Sequence, residues 1–154
     1  MKSIHQWLSE YGQSHQNKRN KLIHWICVPA IFFSITGMLH LVKLPIQFSG
    51  IHISLAMIAL FLVWLYYLKL STSLSIGMLL FSFACLYLAQ WIETSHIIPL
   101  WIFSLLIFAL AWVAQFWGHH LEGKKPSFLK DIQFLLIGPA WLMSFIYQKL
   151  KIKF

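Results

Sequence analysis

Long apolar stretches, each about the length of a membrane crossing, dominate the chain. Four of them reach the roughly 20 residues that a helix needs to cross the hydrocarbon core of a bilayer. Short connections that contain proline, glycine or serine separate them. The pattern therefore predicts an all-α, polytopic membrane protein with four transmembrane helices, at residues 22–42, 51–70, 74–92 and 97–117.

A fifth apolar run, at residues 132–147, is short for a crossing and contains Gly138 and Pro139. Because proline removes a backbone donor and kinks a helix, this run predicts a short re-entrant or interfacial helical hairpin rather than a fifth span. No linker or internal repeat divides the chain, so residues 1–154 are predicted to form a single integral membrane domain.

The composition supports this class. Hydrophobic residues make up 59% of the chain and charged residues 10%, whereas soluble domains have roughly 45–50% and about 25%. The net charge of +8 comes from lysines and arginines that flank the apolar stretches. That placement favours contact with anionic lipid headgroups and argues against a nucleic-acid partner. Cys27 and Cys85 lie inside apolar runs, with no disulfide framework or zinc-like spacing.

The distribution of positive charge predicts the orientation. With four spans, eleven of the twelve lysines and arginines fall on the side that carries both termini, and Lys43 falls alone on the other side. Lysine and arginine accumulate in cytoplasmic loops. We therefore expect both termini, and the polar clusters beside them, on the cytoplasmic side of the membrane.

Two polar clusters interrupt the apolar pattern on that side. The first, residues 11–24, contains His15 and His24. In one continuous helix these histidines would lie on opposite faces, so they can share a site only if a helix starts or breaks between them. The second, residues 115–126, contains His119, His120 and Glu122. His119 and Glu122 share a helical stripe, whereas His120 points about 100° away.

These side chains indicate a metal site. The four-span topology brings both clusters to one membrane surface, where His15, His24, His119 and Glu122 can converge. Imidazoles with a carboxylate suit a transition metal such as Fe(II), and ligand sets with open positions activate oxygen. Two alternatives stay open: His120 replaces or joins His119, and Glu122 is either a ligand or a group that orients an imidazole. The histidines also have a purely structural explanation, as hydrogen-bonding residues at the interface.

The order and spacing of these motifs resemble a known family. The resemblance covers nearly the whole chain, and it is to the membrane-bound Fe(II)-dependent 2-hydroxy fatty acid dioxygenases of α-oxidation, which act in phytosphingosine breakdown. The residues that carry it are Tyr11, His15, Asn20, His24, Pro29, Gln115, Gly118, His119, Glu122, Gly123, Pro126, Gly138 and Pro139.

The resemblance implies an oxidoreductase that uses Fe(II) as its cofactor, and that converts a 2-hydroxy fatty acid and O₂ to the fatty acid one carbon shorter and CO₂. We expect the four candidate ligands to be the catalytic and metal-binding residues, and Asn20, Lys124 and Lys125 to bind substrate. The two lysines have an equally good explanation as positive charges at a lipid surface. No glycine-rich phosphate loop suggests a nucleotide cofactor.

Two alternatives compete with this function. A di-iron membrane hydroxylase or desaturase also places histidines beside apolar spans, but it needs roughly eight or more of them, and at most four lie on the appropriate side here. The other alternative is a non-catalytic membrane protein that binds or transports lipid. Bound iron and oxygen uptake distinguish the enzyme from this second alternative.

Overall fold

The structure is a computed structural model. It describes residues 2–48, 50–123 and 128–154, with the side chains of these residues except Ile51 and residues 128–133. The described part is mostly helical. Its elements, in chain order, are α1 (Ile4–Gln13), α2 (Lys18–His40), β1 (Lys43–Phe48), β2 (Ile51–Ser54), α3 (Leu55–Leu70), α4 (Thr72–Ser95), α5 (Leu100–Glu122) and α6 (Phe128–Lys149).

Within the described residues, three helices are long and apolar enough to cross a membrane: α2, α4 and α5. The predicted span at residues 51–70 differs, because its first four residues form strand β2. The helix that follows, α3, has 16 residues, which correspond to about 24 Å of helix against a hydrocarbon core of about 30 Å. The prediction of helix at residues 51–54 was wrong, since Ile51 and Phe48 begin an antiparallel pairing of the two strands.

The prediction of a hairpin at residues 132–147 was also wrong, because α6 runs through Gly138 and Pro139 as one helix. The turn before Pro139 is supported from outside, where the Tyr67 hydroxyl donates to the Leu136 carbonyl. The carbonyl that Pro139 leaves without its helical donor is that of Leu135, so the contact braces the turn next to it rather than replacing the lost bond. At the other end of α6, the Tyr147 hydroxyl donates to the Ser73 carbonyl over 2.8 Å. These contacts hold α6 against the last turns of α3 and the first turns of α4.

The pair that positions the polar clusters is α2 with α5. The two helices pack antiparallel, with a glycine at a close approach near each end. Gly37 lies against the Ser104 side chain, and Gly118 lies so near Asn20 that a Cβ there would be 2.5 Å from the amide oxygen. Small residues of this kind let helix backbones approach closely in membrane proteins. The first turns of α2 therefore lie beside the last turns of α5.

The helix is interrupted before α2. His15 and His24 can face one site only with such an interruption between them. Helix α1 begins with a capping box between Ser3 and Gln6 and ends at Gln13. Asn17 then caps α2, its side chain accepting from the Arg19 amide over 2.8 Å. Side-chain oxygens at this position satisfy amides that have no partner inside the helix. The linker between the helices, residues 14–17, carries His15 into the space beside α2.

Candidate metal centre

Three histidines from three separate parts of the chain meet at the end of the bundle where α2 begins and α5 ends. His15 comes from the linker, His24 from α2 and His119 from the last turns of α5. One ring nitrogen from each lies within 4.8 Å of the others. His15 and His24 are each 1% exposed, and their ring centroids are 4.2 Å apart. The predicted convergence of the two polar clusters is thus present in the structure.

Backbone carbonyls fix the orientation of the two buried rings. His15 Nδ1 lies 2.7 Å from the Tyr11 carbonyl, and His24 Nδ1 lies 2.9 Å from the Asn20 carbonyl. Because a carbonyl only accepts, each Nδ1 is the protonated nitrogen, and each Nε2 keeps its lone pair. Histidines that bind metals are oriented in this way.

The second ring nitrogen of His15 makes no hydrogen bond. Its Nε2 is buried and has no hydrogen-bond partner. A buried polar atom without a partner costs about 1–3 kcal/mol. Burial lowers the pKa of His15 to about 4, so the ring is neutral at physiological pH. A neutral imidazole with an unshared, buried lone pair fits the requirement of a metal ligand.

The spacing of the nitrogens also fits one ion. Two nitrogens that bind the same metal at about 2.0–2.1 Å each are at most about 4.2 Å apart. The separations of up to 4.8 Å in the histidine group exceed that limit only slightly. Neighbouring ligands of one ion lie closer, about 3.0–3.6 Å apart at that bond length, so the three rings would move inward by about 1 Å or more to bind a metal.

Aromatic side chains enclose the buried side of the group. The Tyr11 ring stacks on His15, with centroids 4.2 Å apart and planes 7° apart. The centroid of the Trp141 ring, on α6, lies 5.3 Å from that of the same imidazole and 5.2 Å from that of the Tyr11 ring. Gly138 makes room for the tyrosine, since a Cβ there would be 3.0 Å from the hydroxyl oxygen. Helix α6 thus supports the position of His15.

Glu122 lies outside the group of three nitrogens and has different partners. Its carboxylate accepts from the Gln16 amide over 2.7 Å, from the Asn17 amide over 3.0 Å and from the Asn20 side-chain amide over 3.0 Å. The residue that ends α5 therefore binds the start of α2. This arrangement favours the second of the two roles open to Glu122, in which it positions the histidines.

The remaining predicted site residues divide into three cases. Asn20 is buried beside Gly118, and its Oδ1 has no hydrogen-bond partner. His120 is exposed and is not in the histidine group, so of the two neighbouring histidines it is His119 that joins the group. Lys124 and Lys125 lie outside the described residues, so their predicted substrate contacts stay predictions.

The sequence reasoning missed the contribution of α6. Tyr11 was part of the family motif but had no assigned role, and Trp141 was not considered. One signal was present for the tyrosine. It precedes His15 by four residues, a spacing at which neighbours meet on a helix. No comparable local signal connects Trp141 with His15, because the two lie 126 positions apart in sequence.

Comparison with known proteins identifies the family. A family model described as "2-hydroxy-palmitic acid dioxygenase Mpo1-like" matches residues 1–150. The chain belongs to the Mpo1-like family. It is 30% identical over 138 residues to the 2-hydroxy-palmitic acid dioxygenase MPO1 of Saccharomyces cerevisiae, covering 88% of this chain and 75% of the yeast protein. No solved structure matches significantly.

Membership of the Mpo1-like family confirms the resemblance inferred from the motifs. The match extends from α1 to the end of α6, so it includes every segment that contributes to the histidine group. The aromatic enclosure by α1 and α6 is thus part of the matched region rather than an addition to it.

Glu122 joins the end of α5 to the start of α2, and this role, here called the Glu122 clamp, can be tested. Glu122→Gln removes the charge that three donors share, and hydrogen bonds to charged groups contribute about 1.5–3 kcal/mol. We expect Glu122→Gln to lower the free energy of unfolding in detergent by about 1–3 kcal/mol. Glu10→Gln is the control, because Glu10 forms an ion pair with Lys2 at the surface and such pairs contribute about 0–1 kcal/mol. Equal stabilities for the two variants would contradict the clamp.

Proposed function

We propose that this protein is an Fe(II)-dependent dioxygenase that shortens 2-hydroxy fatty acids by one carbon. The observation that carries the proposal is the group of three histidines, two of which are buried. Membership of the Mpo1-like family and the name of the yeast relative supply the substrate class.

The proposed reaction balances without a further reductant. A 2-hydroxy fatty acid and O₂ give the fatty acid one carbon shorter, CO₂ and water. The bond between the carboxyl carbon and the hydroxylated carbon breaks, and the hydroxylated carbon becomes the new carboxyl carbon. Reduction of O₂ takes four electrons, all of which come from the substrate. The reaction therefore requires neither a reductase nor a nicotinamide or flavin.

The three imidazoles are the residues that would hold iron. His15 and His24 would bind it through Nε2, because their Nδ1 atoms are occupied by backbone carbonyls. Iron, when bound, supplies activation of O₂ and a Lewis acid for the substrate's hydroxyl and carboxylate. Three nitrogen ligands leave coordination positions for those oxygens.

The protein's other contribution is to position and shield these ligands. The carbonyls of Tyr11 and Asn20 keep two imidazoles in the required tautomer. The Tyr11 and Trp141 rings cover His15 on the side of α6, which excludes water there. We propose that Lys124 or Lys125, which follow α5, holds the substrate carboxylate, and that the acyl tail lies among the apolar helices. A fatty acid partitions into the bilayer, so an enzyme embedded in the membrane can bind the substrate there.

The di-iron alternative has less support. Such sites need enough histidines for two metal ions, whereas in the described residues the histidines that come together number three. The non-catalytic alternative leaves the partnerless His15 Nε2 unexplained. Turnover distinguishes both alternatives from the dioxygenase.

We further propose that the chain crosses the membrane four times, with α3 as the fourth span, and that the histidine group faces the cytoplasm. The support is the distribution of lysine and arginine and the positive-inside rule. Single cysteines at Ser3 and Lys153, in a background with Cys27 and Cys85 replaced by serine, should both react with an impermeant maleimide only when the cytoplasmic face is open. Reaction of the two positions from opposite faces would show an odd number of crossings.

The activity has a direct test. Purified protein loaded anaerobically with Fe(II) should convert 2-hydroxypalmitate to the acid one carbon shorter when O₂ is admitted, without 2-oxoglutarate or NAD(P)H. Palmitate, which lacks the 2-hydroxyl, should react at least tenfold more slowly because it offers one metal-binding oxygen group fewer. Product is measured by mass spectrometry and O₂ uptake by electrode.

Matched histidine variants complete this test. His119→Ala should abolish turnover, whereas His120→Ala should retain it, because His120 is the exposed neighbour outside the histidine group. Zinc-loaded protein should be inactive, since Zn²⁺ has no redox chemistry. Turnover that requires an added reductase, or equal rates with palmitate, would overturn the proposed reaction in favour of a hydroxylase.

A further inference from the structure

An apolar groove lies at the opposite end of the bundle from the histidine group. It has a volume of about 960 Å³ and lies between α3 and α4, next to the β1–β2 hairpin. Its walls are apolar, formed mainly by Met57, Leu60, Phe61, Leu79, Phe83 and Leu86. His24 and His40 both belong to α2, 16 positions apart, a separation of about 24 Å along the helix. This groove is therefore separate from the proposed active site.

One end of the groove is polar and carries both signs of charge. Lys43 Nζ and Glu93 Oε2 are 2.9 Å apart, and their side chains are 32% and 30% exposed. Buried His40 joins them, with its Nε2 2.9 Å from Lys43 Nζ and 3.2 Å from Glu93 Oε2. Its Nδ1 lies 3.2 Å from Ser54 Oγ. These contacts fix an ammonium and a carboxylate side by side at the mouth of an apolar groove.

The groove has dimensions that suit a lipid chain. It extends along α4 from Leu79 to Glu93, which is about 21 Å at 1.5 Å per residue. One leaflet of a bilayer has a hydrocarbon thickness of about 15 Å, half of the usual 30 Å. The short helix α3 begins only at Leu55, directly after the hairpin, so the hairpin rather than a further helical turn lies beside that end of α4. A lipid headgroup can thus reach the polar end while its chain lies between the two helices.

We propose that this groove binds one phospholipid with a zwitterionic, amine-bearing headgroup of the phosphatidylethanolamine type. The phosphate would contact Lys43, and the primary ammonium would contact Glu93. One acyl chain would cover the side chains of Phe61 and Phe83, which are 55% and 60% exposed. Charge complementarity selects this class. An anionic headgroup would meet the Glu93 carboxylate, and a quaternary ammonium would give it no hydrogen-bond donor.

The test measures retained lipid. The protein is placed in nanodiscs of equimolar phosphatidylethanolamine, phosphatidylcholine and phosphatidylglycerol, extracted into mild detergent and examined by native mass spectrometry. We expect one phosphatidylethanolamine per chain, retained at least tenfold above the other two lipids. Preferential retention of phosphatidylglycerol, or of added palmitate, would show an anion site instead, and equal retention of all three lipids would show no headgroup selection. Either result overturns the proposal.

Substitutions test the polar end and the apolar walls of the groove separately. Glu93→Gln should remove the preference for phosphatidylethanolamine over phosphatidylcholine, and Lys43→Gln should lower retention of both about tenfold. Phe83→Ala should also lower retention, without altering the polar end. Leu110→Ala is the matched control, because Leu110 is 69% exposed on α5 and does not line the groove.

The midpoint of thermal unfolding in detergent serves as the folding control in every variant. If Phe83→Ala protein unfolds at the same temperature as the wild type and retains as much phosphatidylethanolamine as the Leu110→Ala control, the groove does not hold the lipid. Loss of lipid from both variants would also contradict the proposal, since it would locate retention outside the groove. The inference does not depend on the proposed reaction, because none of its residues belongs to the histidine group.

Discussion

The contact between the end of α5 and the beginning of α2 is the interaction on which the rest of the site depends. A glutamate in the last turn of a helix is opposed by the helix dipole, whereas the same charge at a helix N-terminus is favoured. Glu122 lies at the N-terminus of α2, where its charge is favoured. Its carboxylate accepts hydrogen bonds from two backbone amides and from the Asn20 side chain. The unfavourable interaction of Glu122 with the dipole of its own helix, α5, is thus offset by its favourable interaction with the N-terminus of α2. His119, three residues earlier, is brought beside His15 and His24 as a consequence.

A second constraint is the burial of polar atoms that have no protein partner. His15 Nε2 and Asn20 Oδ1 are both buried without a hydrogen bond, although native proteins leave few such atoms. Both lie at the junction of α1, α2 and α5. Structural histidines are expected to satisfy both nitrogens when buried, and His15 satisfies only the one that faces the Tyr11 carbonyl. The site therefore presents a lone pair that a bound metal would use.

Much of this arrangement could be predicted from the sequence, because hydropathy and helical phase are local properties. The apolar runs predicted α2, α4 and α5. The phases of His15 and His24 showed that a shared site requires a helix break between them, and residues 14–17 separate α1 from α2 there. The same geometry favoured His119 over His120 as the partner of Glu122, but it left open whether His120 replaces or joins His119. These features depend on spacing along the chain, and the sequence contains that spacing directly.

What could not be predicted depends on partners that are distant in sequence. Helix α6 was expected to break at Pro139, because the contacts that hold the helix in place come from α3 and α4, such as that of the Tyr67 hydroxyl with the Leu136 carbonyl. The sequence left open whether Glu122 is a ligand or orients an imidazole, because its backbone partners lie more than 100 positions away. The groove between α3 and α4 depends on the late start of α3 at Leu55, and the pairing of β2 with β1 determines that start. In each case a long-range contact decides between structures that the local pattern permits equally.

The measurement that tests the central claim most directly is X-ray absorption at the iron edge. The sample is protein loaded anaerobically with one equivalent of Fe(II), compared with the His24→Ala variant. The account predicts three imidazole nitrogens at about 2.1 Å in the wild-type spectrum, with oxygen atoms completing the shell, and fewer imidazoles or no retained iron in the variant. Retained iron with no imidazole ligands, or identical spectra for the two proteins, would contradict it.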